Sequence, residues 1–139
     1  MPTNRFLVDT SAWIFALKSE GIQEIRNRID HIISDEEILT TGIIKLELLS
    51  GTKTQKEFDR LKKYLDALDM VETDDSLWEA AYKLVFKLRR QGITVPHTDI
   101  LIAACGFAAK ATIVHADAHF DMIASKSNLK TENLLHFVI

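Results

Sequence analysis

The sequence predicts an α/β sandwich whose strands pair in parallel. Short apolar runs of strand length alternate along the chain with longer segments whose apolar residues recur at helical spacing. A length of 139 residues with 47% hydrophobic composition suits one core of useful size. No internal repeat, low-complexity tract or interdomain linker interrupts the pattern. The polar stretch from Ser50 to Gln55 is too short to separate a second domain from the first, so residues 1–139 read as one domain.

Each element follows from local pattern. Residues 5–9 form a short buried strand ending at Asp9, and Thr10 or Ser11 can cap a helix through Ala12 to Leu17. Ile22, Ile25, Ile29, Ile32 and Ile33 keep helical spacing after Gly21. Ile38-Leu39-Thr40-Thr41 reads as the second strand, followed by a helix from Ile43 to Leu49 that stops at Gly51. Phe58, Leu61, Leu65 and Leu68 line one face of a fourth helix, and Met70-Val71-Glu72 is a short strand. Leu77, Trp78, Ala81, Leu84, Val85 and Leu88 mark a long amphipathic helix ending near Gly92. Ile100 to Ala109 is apolar and rich in small residues, as a closely packed buried helix would be. Thr112 to Ala116 is a buried strand ending at Asp117, and Leu135 to Val138 is expected to close the sheet as a terminal strand.

Composition removes several function classes. The formal net charge of −3 gives no general affinity for nucleic acid, although a local basic patch remains open. Cys105 is the single cysteine, which excludes an intrachain disulfide and a cysteine-rich zinc site. The sequence shows neither a secretory leader nor an apolar run long enough to span a bilayer, so a cytoplasmic protein is expected, without a membrane partner.

Four acids occupy positions that a purely structural sequence would avoid. Asp9 and Asp117 each follow a buried strand, and ligands of open α/β sheets collect beyond the carboxyl ends of the strands. At about 100° per residue, Glu47 projects between Ile43 and Ile44 on the apolar side of its helix, with Lys45 roughly opposite. Asp99 stands at the head of the apolar run Ile100-Leu101-Ile102-Ala103-Ala104. Singly, Asp9 and Asp99 also read as helix caps, Asp117 as a turn residue and Glu47 as an acid reaching out from the edge of an apolar face. Together they read differently. An unpaired buried carboxylate costs several kcal/mol, and four that converge repel one another. A divalent cation relieves both penalties, and all-oxygen ligands favour Mg²⁺ or Mn²⁺. Such a centre at a strand rim suits hydrolysis of a phosphodiester, and the absence of a glycine-rich phosphate loop disfavours a nucleotide-driven motor.

The order of these residues resembles that of the PIN-domain nucleases. The resemblance rests on Val8-Asp9-Thr10-Ser11, Leu46-Glu47-Leu48-Leu49-Ser50-Gly51, Asp99-Ile100-Leu101-Ile102-Ala103-Ala104 and Ala116-Asp117-Ala118-His119-Phe120, and it covers nearly the whole chain. In length and layout the chain is most similar to the VapC-type toxins of toxin–antitoxin pairs. The resemblance implies a three-layer α/β/α fold with a short, mainly parallel sheet, and Mg²⁺- or Mn²⁺-dependent endoribonuclease activity on tRNA or ribosomal RNA. It implies Asp9, Glu47, Asp99 and Asp117 as the catalytic and metal-holding acids, with Ser11, or less directly Thr10, supporting the first. It also implies a homodimer and a small cognate antitoxin. The family often has a further acid two positions after the fourth. Here that position is His119, and Asp121 lies two residues later as a possible substitute.

Other polar residues carry weaker signals. His119 is either a metal or RNA contact or a polar residue at a helix start, and His97 and His115 lack a partner at zinc-like spacing. Lys53, Lys56 and Arg60, with Lys62 and Lys63, form either a solvated helix face or a rim for RNA phosphates. Lys83, Lys87, Arg89 and Arg90 pose the same choice, while Trp13 and Trp78 read as core or interface. Two competing functions remain: a PIN-like scaffold that binds RNA or protein without cutting, and a phospho-receiver domain. The receiver needs adjacent acids after its first strand, where this chain has Asp9 followed by Thr10-Ser11.

Overall fold

A computed structural model describes residues 4–18 and 20–138. Their order is β1 (Arg5–Val8), α1 (Thr10–Leu17), α2 (Gln23–Asp35), β2 (Glu37–Thr41), α3 (Gly42–Ser50), α4 (Gln55–Asp66), β3 (Asp69–Val71), α5 (Asp75–Arg90), α6 (His97–Ala109), β4 (Thr112–His115), α7 (Ala118–Ser125) and β5 (Thr131–Asn133). The five strands form one sheet in the order β3-β2-β1-β4-β5, and every pair is parallel.

Register shows why the fold has three layers. Leu7 pairs with Ile113 and Val8 with Val114, and paired residues of parallel strands point to the same face. On one face, Ile113 meets α6 so closely that a Cβ on Gly106 would lie 2.7 Å from Ile113 Cδ1. On the other, the Arg28 guanidinium of α2 lies over the Phe6 ring at 5.3 Å and holds Glu132 of β5 through bonds of 2.6 and 2.8 Å. Helices therefore cover both faces, and the central strand residues Leu7, Val8, Ile113 and Val114 are fully buried. Near-continuous apolar strands are what a parallel sheet with two covered faces requires.

The caps set the helix starts. Thr54 Oγ1 accepts from Glu57 N at 3.1 Å and Asp74 Oδ1 from Leu77 N at 2.9 Å, so α4 and α5 begin before their first apolar landmarks. Helix α6 starts at His97 after Pro96, which makes Asp99 a first-turn residue rather than a cap. The expected terminal strand from Leu135 to Val138 is corrected: Leu135–Phe137 is a turn of 3-10 helix, and the last strand is Thr131–Asn133. Asn133 Oδ1 accepts from Leu135 N at 2.7 Å, and this side-chain turn takes the chain out of the sheet. Among the described residues no helix is long and apolar enough to cross a membrane.

Candidate active site

Parallel pairing puts the carboxyl ends of the adjacent strands β1 and β4 side by side, and Asp9 and Asp117 are the residues immediately after them or one further on. The backbone N–H of Asp9 donates to Val114 O at 2.9 Å, extending the β1–β4 ladder to the acid itself. Both acids are also helix caps. Asp9 Oδ2 accepts from Ser11 N at 3.0 Å, and Asp117 Oδ1 accepts from His119 N at 2.9 Å. Capping and a place at the strand rim are thus compatible. An aspartate that caps with one oxygen keeps its remaining acceptor capacity for the rim.

Ser11 ties the two strand ends together. Its hydroxyl donates to Asp9 Oδ2 at 2.6 Å and accepts from Ala116 N at 2.9 Å. Thr10 serves a different acid, donating to Glu47 Oε1 at 2.8 Å. The pair of hydroxyls after β1 therefore divides its work, one orienting Asp9 and the other Glu47. Glu47 is half-buried on α3, one residue before the buried Leu48.

Asp99 completes the group from α6. Its Oδ2 lies 3.1 Å from His119 Nδ1, which in turn lies 3.0 Å from Asp117 Oδ1. Donor atoms of Asp99, Asp117 and His119 all fall within 4.8 Å of one another. Asp121 turns away: it accepts from Asn133 Nδ2 at 2.6 Å, toward β5. Among the candidates after Asp117, the structure brings His119 and not Asp121 to the other acids.

Electrostatics follow from this crowding. Burial raises the Asp99 carboxyl to about 6; repulsion from Asp9 and Asp117 adds to the rise, and His119 opposes it. Burial also raises Asp9, against the hydrogen bonds from Ser11 and with repulsion from Glu47. Asp9 is 4% exposed and Asp99 8%. Among the described residues no lysine or arginine pairs with any of the four acids; the ion pairs of those cations go to Glu37, Glu132 and Asp66. Buried, crowded carboxylates without a fixed cation fit a divalent metal, whose charge would replace the missing partner. The donor atoms of Asp99, Asp117 and His119 lie close enough together to hold one.

His115 is a contributor that its residue type and spacing do not announce. It is fully buried, its ring centroid 5.1 Å from that of Phe120, and its Nδ1 accepts from Asp117 N at 3.2 Å. Burial holds its pKa below the ordinary value. The proton then resides on Nε2, which points toward Asp121 Oδ1 at 3.6 Å. The ring therefore steadies the backbone that presents Asp117. The signal for this in the sequence is slight: a polar residue at the last position of an apolar strand.

The basic candidates lie elsewhere. Lys56 and Arg60 line a groove with Leu17 and Tyr64, at the C-terminal end of α1, whereas Asp9 caps its N-terminal end. An eight-residue helix spans about 12 Å. Lys53 is exposed just before α4, and Lys62 is committed to Asp66 at 2.6 Å. Trp13 is core, while Trp78 is half-exposed beside Tyr82.

A parallel α/β/α sandwich with a rim of oxygen donors beyond its central strands defines a class of metal-compatible α/β proteins. The chain belongs to the PIN domain family, whose model matches residues 6–126. It is similar to VapC ribonuclease Mb1587 of Mycobacterium bovis and to Ribonuclease VapC11 of Mycobacterium tuberculosis. Identity to each is 35% over 129 residues, covering 89% of this chain and 95% of the relative. In fold it is similar to a chain of the VapBC2 structure from Rickettsia felis, bound to a DNA fragment from their promoter. That likeness has a TM-score of 0.76 at 20% identity, over 93% of this chain and 98% of the other.

Proposed function

We propose that this chain is a divalent-metal-dependent endoribonuclease, one PIN nuclease domain acting as the toxin of a toxin–antitoxin pair. The convergence of Asp9, Asp99 and Asp117 at one strand rim, without a cationic side chain among them, carries the reading. The relatives named as ribonucleases and the neighbours solved as toxin–antitoxin complexes support it.

In this reading Asp9, Asp99 and Asp117 hold a Mg²⁺ or Mn²⁺ ion, and Glu47 completes the shell directly or through water. When bound, such an ion lowers the pKa of water and polarises the scissile phosphate. The chain's own contribution is placement. Ser11 keeps Asp9 Oδ2 turned toward the backbone and leaves Oδ1 for the rim, and Thr10 anchors Glu47 beside it. His115 holds the amide of Asp117, so both strand-end acids are positioned through their main chain. The acids repel an RNA backbone, and basic side chains must hold it. Lys53, Lys56 and Arg60 are the proposed outer phosphate contacts on the α4 side. A small antitoxin and a second copy of the chain are the proposed protein partners, and structured RNA such as tRNA or ribosomal RNA is the proposed substrate.

The test is cleavage of RNA by the purified chain with Mn²⁺ or Mg²⁺, against Asp9→Asn. Asp9→Asn is expected to lower the cleavage rate at least about a hundredfold, since one anchored charge of the metal shell is lost. Equal rates for the two proteins would reject the role of Asp9. The grouping of Asp99, Asp117 and His119 supports the cleaving reading over the non-cleaving scaffold.

A further inference from the structure

His119 has a relation to the acids that ordinary hydrogen bonding explains poorly. Its Nδ1 approaches two carboxylate oxygens from two different elements almost equally, Asp117 Oδ1 at 3.0 Å and Asp99 Oδ2 at 3.1 Å. One ring N–H aligns well with one acceptor, not two. Asp117 Oδ1 already accepts the backbone N–H of His119 at 2.9 Å. Asp9 stands close enough to repel Asp99; it is nearly all buried, and its Oδ2 is taken by the Ser11 amide and hydroxyl. Asp9 therefore adds negative charge beside the group of Asp99, Asp117 and His119, whose donor atoms lie within 4.8 Å of one another.

Spacing and chemistry then separate two questions. Neighbouring donors on an octahedral ion with bonds of about 2.1 Å are about 3.0 Å apart, so both His119 edges have the length of ligand–ligand edges. Any octahedral divalent ion satisfies that spacing. Donor type decides between ions: Mg²⁺ prefers oxygen and keeps its water, whereas an imidazole nitrogen strengthens binding of first-row transition ions.

We propose that His119 Nδ1 is a direct metal ligand, and that this nitrogen biases the centre toward Mn²⁺ and away from Mg²⁺. The inference rests on the metal-centre reading above and deepens it. His119 is half-exposed at the start of α7, and its ring is not part of the core, so substitution there leaves the fold intact. Asp99 and Asp117 bring the charge; His119 brings the discrimination.

The experiment compares Mn²⁺ and Mg²⁺ dissociation constants by titration calorimetry for the wild-type chain, His119→Asp, His119→Asn and Asp99→Asn. In parallel, pulsed electron paramagnetic resonance of bound Mn²⁺ reads out nitrogen coupling. The wild-type chain is expected to show imidazole nitrogen coupled to Mn²⁺, and His119→Asp to lose it although four other histidines remain. His119→Asp adds charge that strengthens both ions, so the ratio is the informative quantity. The preference for Mn²⁺ over Mg²⁺ is expected to shrink about tenfold in His119→Asp. In His119→Asn the nitrogen coupling is expected to vanish, with no gain in Mg²⁺ binding. An unchanged ratio with no nitrogen coupling in the wild type, while Asp99→Asn still abolishes binding, overturns this inference alone. Binding of neither ion to the wild-type chain overturns it together with the metal-centre reading.

Discussion

Ser11 shows how much one hydroxyl can organise. It spends its proton on Asp9 and its lone pair on the amide of Ala116, so it couples the end of β1 to the end of β4. Ser11→Ala leaves the Ala116 N–H without its acceptor and removes the shortest bond to Asp9. The expected cost is about 1–3 kcal/mol of stability, with weaker Mn²⁺ binding, whereas Ser11→Thr retains both bonds. Urea unfolding and metal titration of the two variants check this. Loss of metal affinity in Ser11→Thr equal to that in Ser11→Ala would remove the hydroxyl from the explanation. At this scale the acids are legible in the sequence because each breaks an apolar pattern. The ties that orient them are less so. Thr10 and Ser11 are adjacent hydroxyls with no difference in pattern, and only the crossing of α1 past α3 shows that Thr10 belongs to Glu47.

Among elements, the buried ones are legible and the polar edge is not. Strands β1 and β4 are apolar because helices cover both their faces, and that coverage prints itself on the sequence. Strand β5 is Thr131-Glu132-Asn133, half-buried at the sheet edge, and it is secured by the Arg28–Glu132 pair rather than by apolar alternation. Nothing in a period-two pattern can announce such a strand, and the apolar Leu134-Leu135 beyond it mimics one a few residues too late. Helix α7 is hidden for a related reason: eight residues give barely two turns in which to show a period. The small residues of α6, by contrast, signal close packing, and Gly106 against Ile113 is where it occurs. Gly106→Val is expected to destabilise the chain by about 1–3 kcal/mol through overpacking. Gly42→Ala, where a Cβ meets nothing within 4 Å, is expected to be neutral or slightly stabilising. Denaturant midpoints for the two variants, read side by side, test whether α6 lies as close to the sheet as described.

The whole molecule carries an electrostatic cost that depends on pH. Asp99 ionises near its ordinary value of 3.8 when the chain is unfolded and at about 6 when it is folded. A folded-state pKa that is raised stabilises the fold while the group is protonated. That contribution is complete below about pH 4 and is lost as pH rises through about 6. In chelator, the wild-type chain is therefore expected to lose stability relative to Asp99→Asn between those limits. At pH 7.5 the variant should melt higher by roughly 3–5 °C. Mn²⁺ should reverse the order, because it stabilises only the wild type. Differential scanning calorimetry at pH 5 and 7.5, with and without Mn²⁺, decides the matter: parallel melting curves for the two proteins would show that Asp99 bears no such cost.

Strand order also has a consequence in time. Synthesis delivers β1, β2 and β3 first, and these are contiguous in the sheet, so three of its five strands can assemble on the growing chain. The other neighbour of β1 is β4, made more than a hundred residues after β1 begins. Until β4 and the residues after it are made, Asp9 and Glu47 stand without Asp117, and the amide that donates to Ser11 does not yet exist. A nascent chain therefore carries an incomplete set of acids, and the chemistry proposed for the finished protein waits for the residues after β4.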